Sequence, residues 1–106
     1  MKQPLECVGS LRYLCEEIIR VLRPQRIILF SQKQDRSGVI TAVKLCVIIP
    51  DGDSEEGEQR LYLEVESDLP YDVLVYTEKE WEGLLASPGS FACRIQETGS
   101  VLYEED

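Results

Sequence analysis

Two long apolar segments constrain the fold more than any other feature of the sequence. Residues 26 to 31 read RIILFS and residues 39 to 50 read VITAVKLCVIIP, and both are rich in β-branched side chains. Strands of nearly continuous apolar composition belong to sheets that are covered on both faces. The sequence therefore predicts two core strands, joined by the polar loop SQKQDRSG at residues 31 to 38.

The segment before these strands predicts an amphipathic helix. An apolar residue recurs every three to four positions between Leu5 and Leu22, which is the spacing of one helix face. Pro4 stands at the start of this segment and Pro24 stops it, because proline cannot continue a helix. We expect this helix to pack over the sheet.

The second half of the chain predicts two strands and two helices. YDVLVYT, residues 71 to 77, and the terminal SVLYEE read as strands. Thr77 and Glu80 form the T-x-x-E pattern of a capping box, which opens a helix over EKEWEGLLA. A second helix is predicted from Ser87 to Gly99, with Pro88 in its first turn. Its inward-facing residues are Phe91, Ala92 and Ile95.

Residues 51 to 67 leave two structures open. DGDSEEG, residues 51 to 57, reads as an acidic connection. In EQRLYLEVES, residues 58 to 67, the apolar side chains alternate with polar ones as in an edge strand, whereas Leu61 and Val65 also fit one face of a helix. The pattern favours the strand. The element order predicts an α/β (α+β) fold, with helices packed on a mixed sheet of three to five strands, in one domain of residues 1 to 106.

Charge and cysteine content exclude several classes of function. A net charge of −9 repels nucleic-acid phosphates, and no apolar run reaches the length of a membrane span, so we expect neither partner. The four cysteines form no C-x-x-C pair and the chain has no histidine, which argues against a structural zinc site. The cysteines read as reduced, buried side chains, and the expected location is the cytoplasm.

The strand segments and their spacing resemble a known family. RIILF, a polar loop, a strand that ends at Pro50, LPYDVLVYTEKEWE and a closing GSVLYE look like the minimal nucleotidyltransferases, a bacterial and archaeal branch of the polymerase β-like superfamily. The resemblance covers roughly residues 10 to 104. It implies a nucleotidyltransferase-like sheet, and a helix rather than a strand over residues 56 to 67.

The active-site motifs of that family are degenerate in this sequence. Members usually read F-G-S-x-A-R-G after the first strand, whereas here Ser31 and Gln32 follow Phe30. Members carry S-D-x-D-L on the second strand, and the resemblance places the aspartate pair at Ala42 and Lys44. The third carboxylate corresponds to Asp72, which is retained. Since these acids hold magnesium in the family, the resemblance implies that metal binding and catalysis are lost here.

Two side-chain roles remain open at this degenerate site. Lys44 and Asp72 would face each other on adjacent strands, where they form an ion pair or where Lys44 instead extends into solvent. Lys33 and Arg36 offer a contact for phosphate, although a plain surface hairpin is the favoured interpretation of their loop.

Three functions fit these observations. The favoured one is a catalytically degenerate, nucleotidyltransferase-like interaction or regulatory module without a cofactor. Its expected partner is a protein, either a helical protein of the HEPN type, as in related toxin–antitoxin pairs, or a second copy of the chain. The alternatives are an active enzyme that uses Mg²⁺ to transfer a nucleotide to a protein or small molecule, and a homo-oligomeric structural or ligand-binding protein.

Overall fold

A computed structural model describes residues 9 to 105 of the chain as four helices and four strands in one sheet. The helices are α1 (Gly9–Leu22), α2 (Ser54–Glu64), α3 (Glu78–Leu85) and α4 (Phe91–Thr98). The strands are β1 (Arg26–Gln34), β2 (Ile40–Ile49), β3 (Tyr71–Thr77) and β4 (Ser100–Glu104). The mixed α+β fold confirms the predicted fold class. The predicted start of the first helix, from Pro4 to Val8, lies outside the described residues.

The sheet has the order β3-β2-β1-β4. β2 pairs with β3 in parallel, while β1 is antiparallel to both β2 and β4. The two predicted core strands, β1 and β2, are therefore neighbours, with the predicted strand YDVLVYT (β3) beside β2 and the terminal SVLYE segment (β4) at the edge beside β1. The parallel pair requires a crossover, which α2 provides between β2 and β3.

Helices cover both faces of the sheet. On one face α1 packs with α2, and side chains such as Leu14, Ile18 and Leu61 meet the β2 residues Leu45 and Val47 in one apolar cluster. On the opposite face α3 and α4 contribute Trp81, Ala92 and Ile95 to a second cluster with Ile28, Cys46 and Ile48. The alternation of side chains along β2 divides its residues between the two clusters.

The predicted edge strand at residues 58 to 67 is wrong, because residues 54 to 64 form α2. Asp53 caps this helix by accepting hydrogen bonds from the backbone N–H groups of Glu55 and Glu56. The acidic segment is therefore partly the first helical turn, where negative charge is favourable. Gly57 faces inward, and Leu22 and Val75 lie close to its Cα. A helix over these residues is what the family resemblance implied.

The start of the last helix also differs from the sequence prediction. Ser90 is the N-cap and Phe91 the first helical residue, so Ser87 and Pro88 lie in the preceding turn. Gly89 has a φ of 78°, which takes the chain out of helical geometry between the two helices. Ala92 and Ile95 are buried as predicted, whereas Phe91 is 39% exposed and does not face inward.

The capping box that was predicted at the junction of β3 and α3 is confirmed. The Thr77 hydroxyl accepts a hydrogen bond from the Glu80 N–H, and the Glu80 carboxylate accepts one from the Thr77 N–H. Within residues 9 to 105, the structure contains no helix of the length and apolar character needed to traverse a bilayer.

Candidate functional site

The candidate site is formed where three strands bring four of the positions singled out from the sequence, Ser31, Ala42, Lys44 and Asp72, to one face of the sheet. Lys44 on β2 lies opposite Ser31 on β1 and opposite Asp72 on β3. Lys33 lies opposite Ala42, two residues further along the same strands. Since paired residues of adjacent strands project to the same face, these five side chains share one surface.

This surface is the outward continuation of the face that carries α3 and α4. Lys44 precedes Cys46 by two residues, so both side chains point to the same side of β2. Cys46 is buried beneath the helices, whereas Lys44 is exposed. The two helices thus cover one half of the sheet face and leave the half with the motif positions open.

A shallow cavity of about 170 Å³ lies among these residues. Its lining residues are Ser31, Gln32, Lys33, Ala42, Val43, Lys44, Pro70, Tyr71 and Asp72. The structure therefore brings together Ser31, Gln32, Ala42, Lys44 and Asp72, the positions singled out from the sequence. It adds Val43, Pro70 and Tyr71, which sequence reasoning missed. Val43, Pro70 and Tyr71 lie within two residues of Ala42, Lys44 or Asp72 in the sequence, and this proximity was the only signal that could have identified them.

Lys44 and Asp72 are neighbours that do not form an ion pair. Both side chains are exposed, and no nitrogen–oxygen distance between them lies within the 4.0 Å range of the ion pairs in residues 9 to 105. The predicted ion pair between Lys44 and Asp72 is therefore wrong for this structure. The other alternative holds, because the Lys44 side chain is exposed to solvent. The physical reason is that water solvates both charges at this open end of the sheet, so desolvation does not force them together.

The segment between the two strands is a short hairpin turn. β1 continues through Gln34, so the predicted loop at residues 31 to 38 is wrong in its first half. The Asp35 carboxylate accepts hydrogen bonds from the Ser37 N–H and hydroxyl and from the Val39 N–H. These contacts hold the pKa of Asp35 below its ordinary value, with the Ser37 hydroxyl as the main cause. Gly38 completes the turn with a φ of 88°.

This turn separates the two cations that were considered for phosphate contact. Lys33 lines the cavity, whereas Arg36 lies in the exposed turn and is not part of its lining. The backbone N–H groups of Ser37 and Val39 are engaged by Asp35 and do not form an anion-binding cradle. Any anion recognition here would rest on side chains.

Other reactive groups near the site have structural roles. Burial raises the pKa of the Cys46 thiol to about 12, so it stays protonated and weakly nucleophilic. The Tyr71 hydroxyl donates to the carbonyl oxygens of Leu61 and Val65, at 3.2 and 3.4 Å. Burial raises the pKa of Tyr71 as well. Neither group is prepared to act as a general base at neutral pH.

The acidic side chains do not gather into a metal-binding cluster. Within the part of the chain that the structure describes, no three Cys, Asp or Glu side chains form a group that could hold a metal ion. At the candidate site Asp72 is the only carboxylate in the cavity lining. The lining offers two ammonium groups (Lys33 and Lys44), one carboxylate (Asp72) and the hydroxyl groups of Ser31 and Tyr71.

Comparison of the chain with protein-family models, with curated proteins and with solved structures found no significant match.

Proposed function

We propose that this chain is a catalytically degenerate, nucleotidyltransferase-like module that acts through binding to a protein partner. One observation carries the proposal: Ala42, Lys44 and Asp72, which match the three carboxylate positions of the family motif, meet on one face of the sheet with a single acid among them. The strand register supports the alignment of the motifs, because it sets Lys44 directly beside Asp72.

The chemistry of nucleotidyl transfer argues against activity at such a site. Mg²⁺ prefers carboxylate oxygens, and the two-metal mechanism needs several of them to hold both ions. A lysine ammonium 4 Å from a cation adds a repulsion of about 1 kcal/mol per unit charge in water and about 4 kcal/mol in a partly buried site. Lys44 therefore opposes the ion that Asp72 alone would attract.

The decisive experiment restores the missing carboxylates. The double substitution Ala42→Asp with Lys44→Asp would place three acids on one face beside Asp72, and Mn²⁺ should then broaden the NMR signals of Ser31 and Val43. The unmodified chain should show no such localised broadening. The matched control is the double variant with Asp72→Asn added, in which the broadening should weaken.

The assay for activity completes this test. The unmodified chain should transfer no nucleotide from an NTP mixture with Mg²⁺ to itself, to proteins or to small acceptors. Magnesium-dependent transfer that disappears in Asp72→Ala would establish the enzyme alternative and overturn the proposal.

Exposed apolar side chains support a role in protein binding. Tyr13, Val39, Tyr62, Leu63, Phe91 and Val101 are large apolar residues with 39 to 85% of their surface exposed. Aromatic residues are enriched in the buried centres of protein interfaces. The family resemblance suggests a helical partner of the HEPN type, and self-association is the other form of the same proposal.

The two kinds of partner are separable by mass. Light scattering coupled to size-exclusion chromatography over a wide concentration range would give a dimer mass if the partner is a second copy. A monomer that elutes as a larger complex after addition of a purified HEPN protein would support the first partner. A monomer under both conditions would argue against the protein-binding role.

A further inference from the structure

Charge is distributed unevenly along the chain. Residues 51 to 68 (the acidic segment) form α2 and its flanking loops, and they contain eight acidic side chains and one basic side chain. This segment therefore carries −7 of the net charge of −9. Its basic side chain, Arg60, lies 2.9 Å from the Glu64 carboxylate. Residues 31 to 44 (the basic hairpin) contain three basic side chains and one acidic side chain, a net charge of +2. Two different segments thus present opposite charges.

Each of these segments also presents an apolar side chain to solvent. Leu63 on α2 is 85% exposed and Val39 in the basic hairpin is 59% exposed, the two highest values among the large apolar residues that the structure describes. Leu61 is fully buried beneath α2, so Leu63, two residues further along the helix, points away from the sheet. Glu56, two helical turns earlier on the same side as Leu63, is exposed as well. An apolar contact with charge around it is therefore available on both segments.

The turn holds Val39 in one conformation. The Asp35 N–H donates to the Val39 carbonyl oxygen at 2.9 Å, and the Val39 N–H donates to the Asp35 carboxylate at 3.0 Å. Arg36 lies in the same turn and is exposed. A contact made by a preformed turn loses little conformational entropy on binding. The basic hairpin is thus suited to dock as a rigid unit.

Both edges of the sheet are protected against the addition of a strand. On β3, the Val73 N–H donates to the Tyr62 hydroxyl at 3.1 Å, and the Thr77 N–H donates to the Glu80 carboxylate at 2.8 Å. At the other edge, β4 has five residues and a shift in its register against β1. Covered edges, short edge strands and bulges limit pairing between the sheets of two molecules. A second copy would therefore bind through side-chain surfaces and not by extending the sheet.

We propose that a second copy of this chain binds head to tail, with the basic hairpin of one copy against the acidic segment of the other and Val39 in contact with Leu63. Opposite charges around the apolar contact favour this pairing, whereas contacts between two hairpins or between two acidic segments bring like charges together. This inference rests on the proposed role in protein binding and specifies one form of it.

The general repulsion between two acidic molecules does not prevent this contact. At about 0.15 M salt the Debye length is about 8 Å, so charges of the two copies that lie further apart than this are largely screened. Charges at the contact itself are closer together and partly buried, and they are screened much less. The local attraction therefore outlasts the repulsion that arises from the net charge of −9.

The test is a pair of charge-introducing variants, studied by sedimentation equilibrium at about 0.15 M salt up to millimolar chain concentration. Val39→Glu places an acid against the acidic segment, and Leu63→Lys places a base against the basic hairpin. Each variant alone should self-associate about tenfold more weakly than the unmodified chain. An equimolar mixture of the two should regain the affinity, because the Val39 of one variant meets the Leu63 of the other.

The matched control is Val101→Glu, the same substitution at a valine of β4 that is 44% exposed. It should leave the self-association unchanged. Arg36→Glu tests the charge of the turn without altering an apolar side chain, and it should weaken the association by about threefold. Circular dichroism should show the same melting curve for all variants, since every substituted side chain is exposed.

The outcomes separate this inference from the proposed function. An unmodified chain that stays monomeric throughout would overturn the inference and leave a helical partner as the remaining form of the protein-binding role. Self-association that both variants keep, or that their mixture does not restore, would overturn the head-to-tail contact but not the binding of a second copy. A loss in Val39→Glu without a loss in Leu63→Lys would indicate contact between two hairpins and would also contradict the inference.

Discussion

The inner and outer halves of β1 and β2 belong to the same two strands, yet they differ in burial and in the elements that they contact. The inner half, residues 26 to 29 and 45 to 49, pairs with β3 or β4 and has helices on both faces. The outer ribbon, residues 31 to 34 and 40 to 42, pairs only within itself and is exposed except for the half-buried Ile40 and Ala42. Stability is therefore concentrated in the inner half, while the outer ribbon and its base present the candidate site.

This difference teaches that the site is free to vary without loss of the fold. Replacement of Ala42 or Lys44 changes no contact in either apolar cluster. Side chains at positions 42 and 44 can thus change while the sheet is kept, because neither residue belongs to the core clusters. The following substitutions test this separation, in order of decreasing effect.

The largest loss is expected from Trp81→Ala in α3, a side chain that packs against the inner half at Ile28 and Ile48. Trp81 is 1% exposed, lies 5.8 Å from the Tyr76 ring centre, and donates its indole N–H to Gln96. The cavity left behind should lower the free energy of unfolding by about 3 to 5 kcal/mol. Urea denaturation measures this loss of unfolding free energy. The control is Gln32→Ala in the outer ribbon, which should lower the free energy of unfolding by about 0.5 kcal/mol or less. Similar losses in both variants would break the comparison.

A smaller loss is expected from Gly99→Ala, beside the inner half. A Cβ atom at Gly99 would lie 2.6 Å from Ile28 Cγ2 and 2.6 Å from the Ile95 carbonyl oxygen. Relief of this overlap should cost about 1 to 3 kcal/mol in unfolding free energy. The control is Gly83→Ala, whose Cβ meets nothing within 4 Å and whose helical position should gain up to about 1 kcal/mol. Melting temperatures should move in opposite directions, and a common direction would contradict the packing argument.

The capping box at the end of β3 predicts an effect of about 1 kcal/mol. Thr77→Ala removes the hydroxyl that accepts a hydrogen bond from the Glu80 N–H, and it should lower the free energy of unfolding by about 1 kcal/mol in urea denaturation.

The second half of the capping box predicts a dependence on pH. The hydrogen bond from the Thr77 N–H holds the pKa of Glu80 below its ordinary value of 4.5. Ionised Glu80 therefore stabilises the folded protein at a pH above the pKa that Glu80 has in the unfolded chain. This stabilisation is lost as the pH falls through the lower pKa that Glu80 has in the folded protein. Denaturation at pH 7 and pH 3 should show a smaller Glu80→Gln effect at the lower pH.

The smallest loss is expected from Lys44→Met at the base of the outer ribbon. Lys44 is exposed and has no ion-pair partner among residues 9 to 105, so its removal should cost less than about 1 kcal/mol. Thermal unfolding of Lys44→Met measures this loss of stability, with Lys79→Met as the control for the removal of an exposed lysine. A loss of several kcal/mol would mean that Asp72 depends on Lys44 after all, and that the outer ribbon contributes to the core.

The local signals in the sequence differ in how well they predicted structure. The capping box at Thr77 and the apolar runs of β1, β2 and β3 were readable because the T-x-x-E spacing favours a helix start and β-branched residues favour strands. α2 was misread because its alternation of apolar and polar residues at 61 to 66 mimics a strand, and its buried helical face is only Gly57 and Leu61. Its true start was set by the Asp53 cap within a segment that resembled a loop.

The sequence by itself determined the core strands, the helices α1 and α3, and the choice of Ala42, Lys44 and Asp72 as positions of interest. Those features depend on side-chain identity and on periods of two or four residues, which a chain carries wherever it folds. Only the tertiary structure decided that α2 crosses between parallel strands, that Lys44 and Asp72 form no ion pair, and that Lys33 lines the same cavity. The reason is that strand register and solvent exposure arise from contacts between segments distant in the chain, and no local pattern contains them.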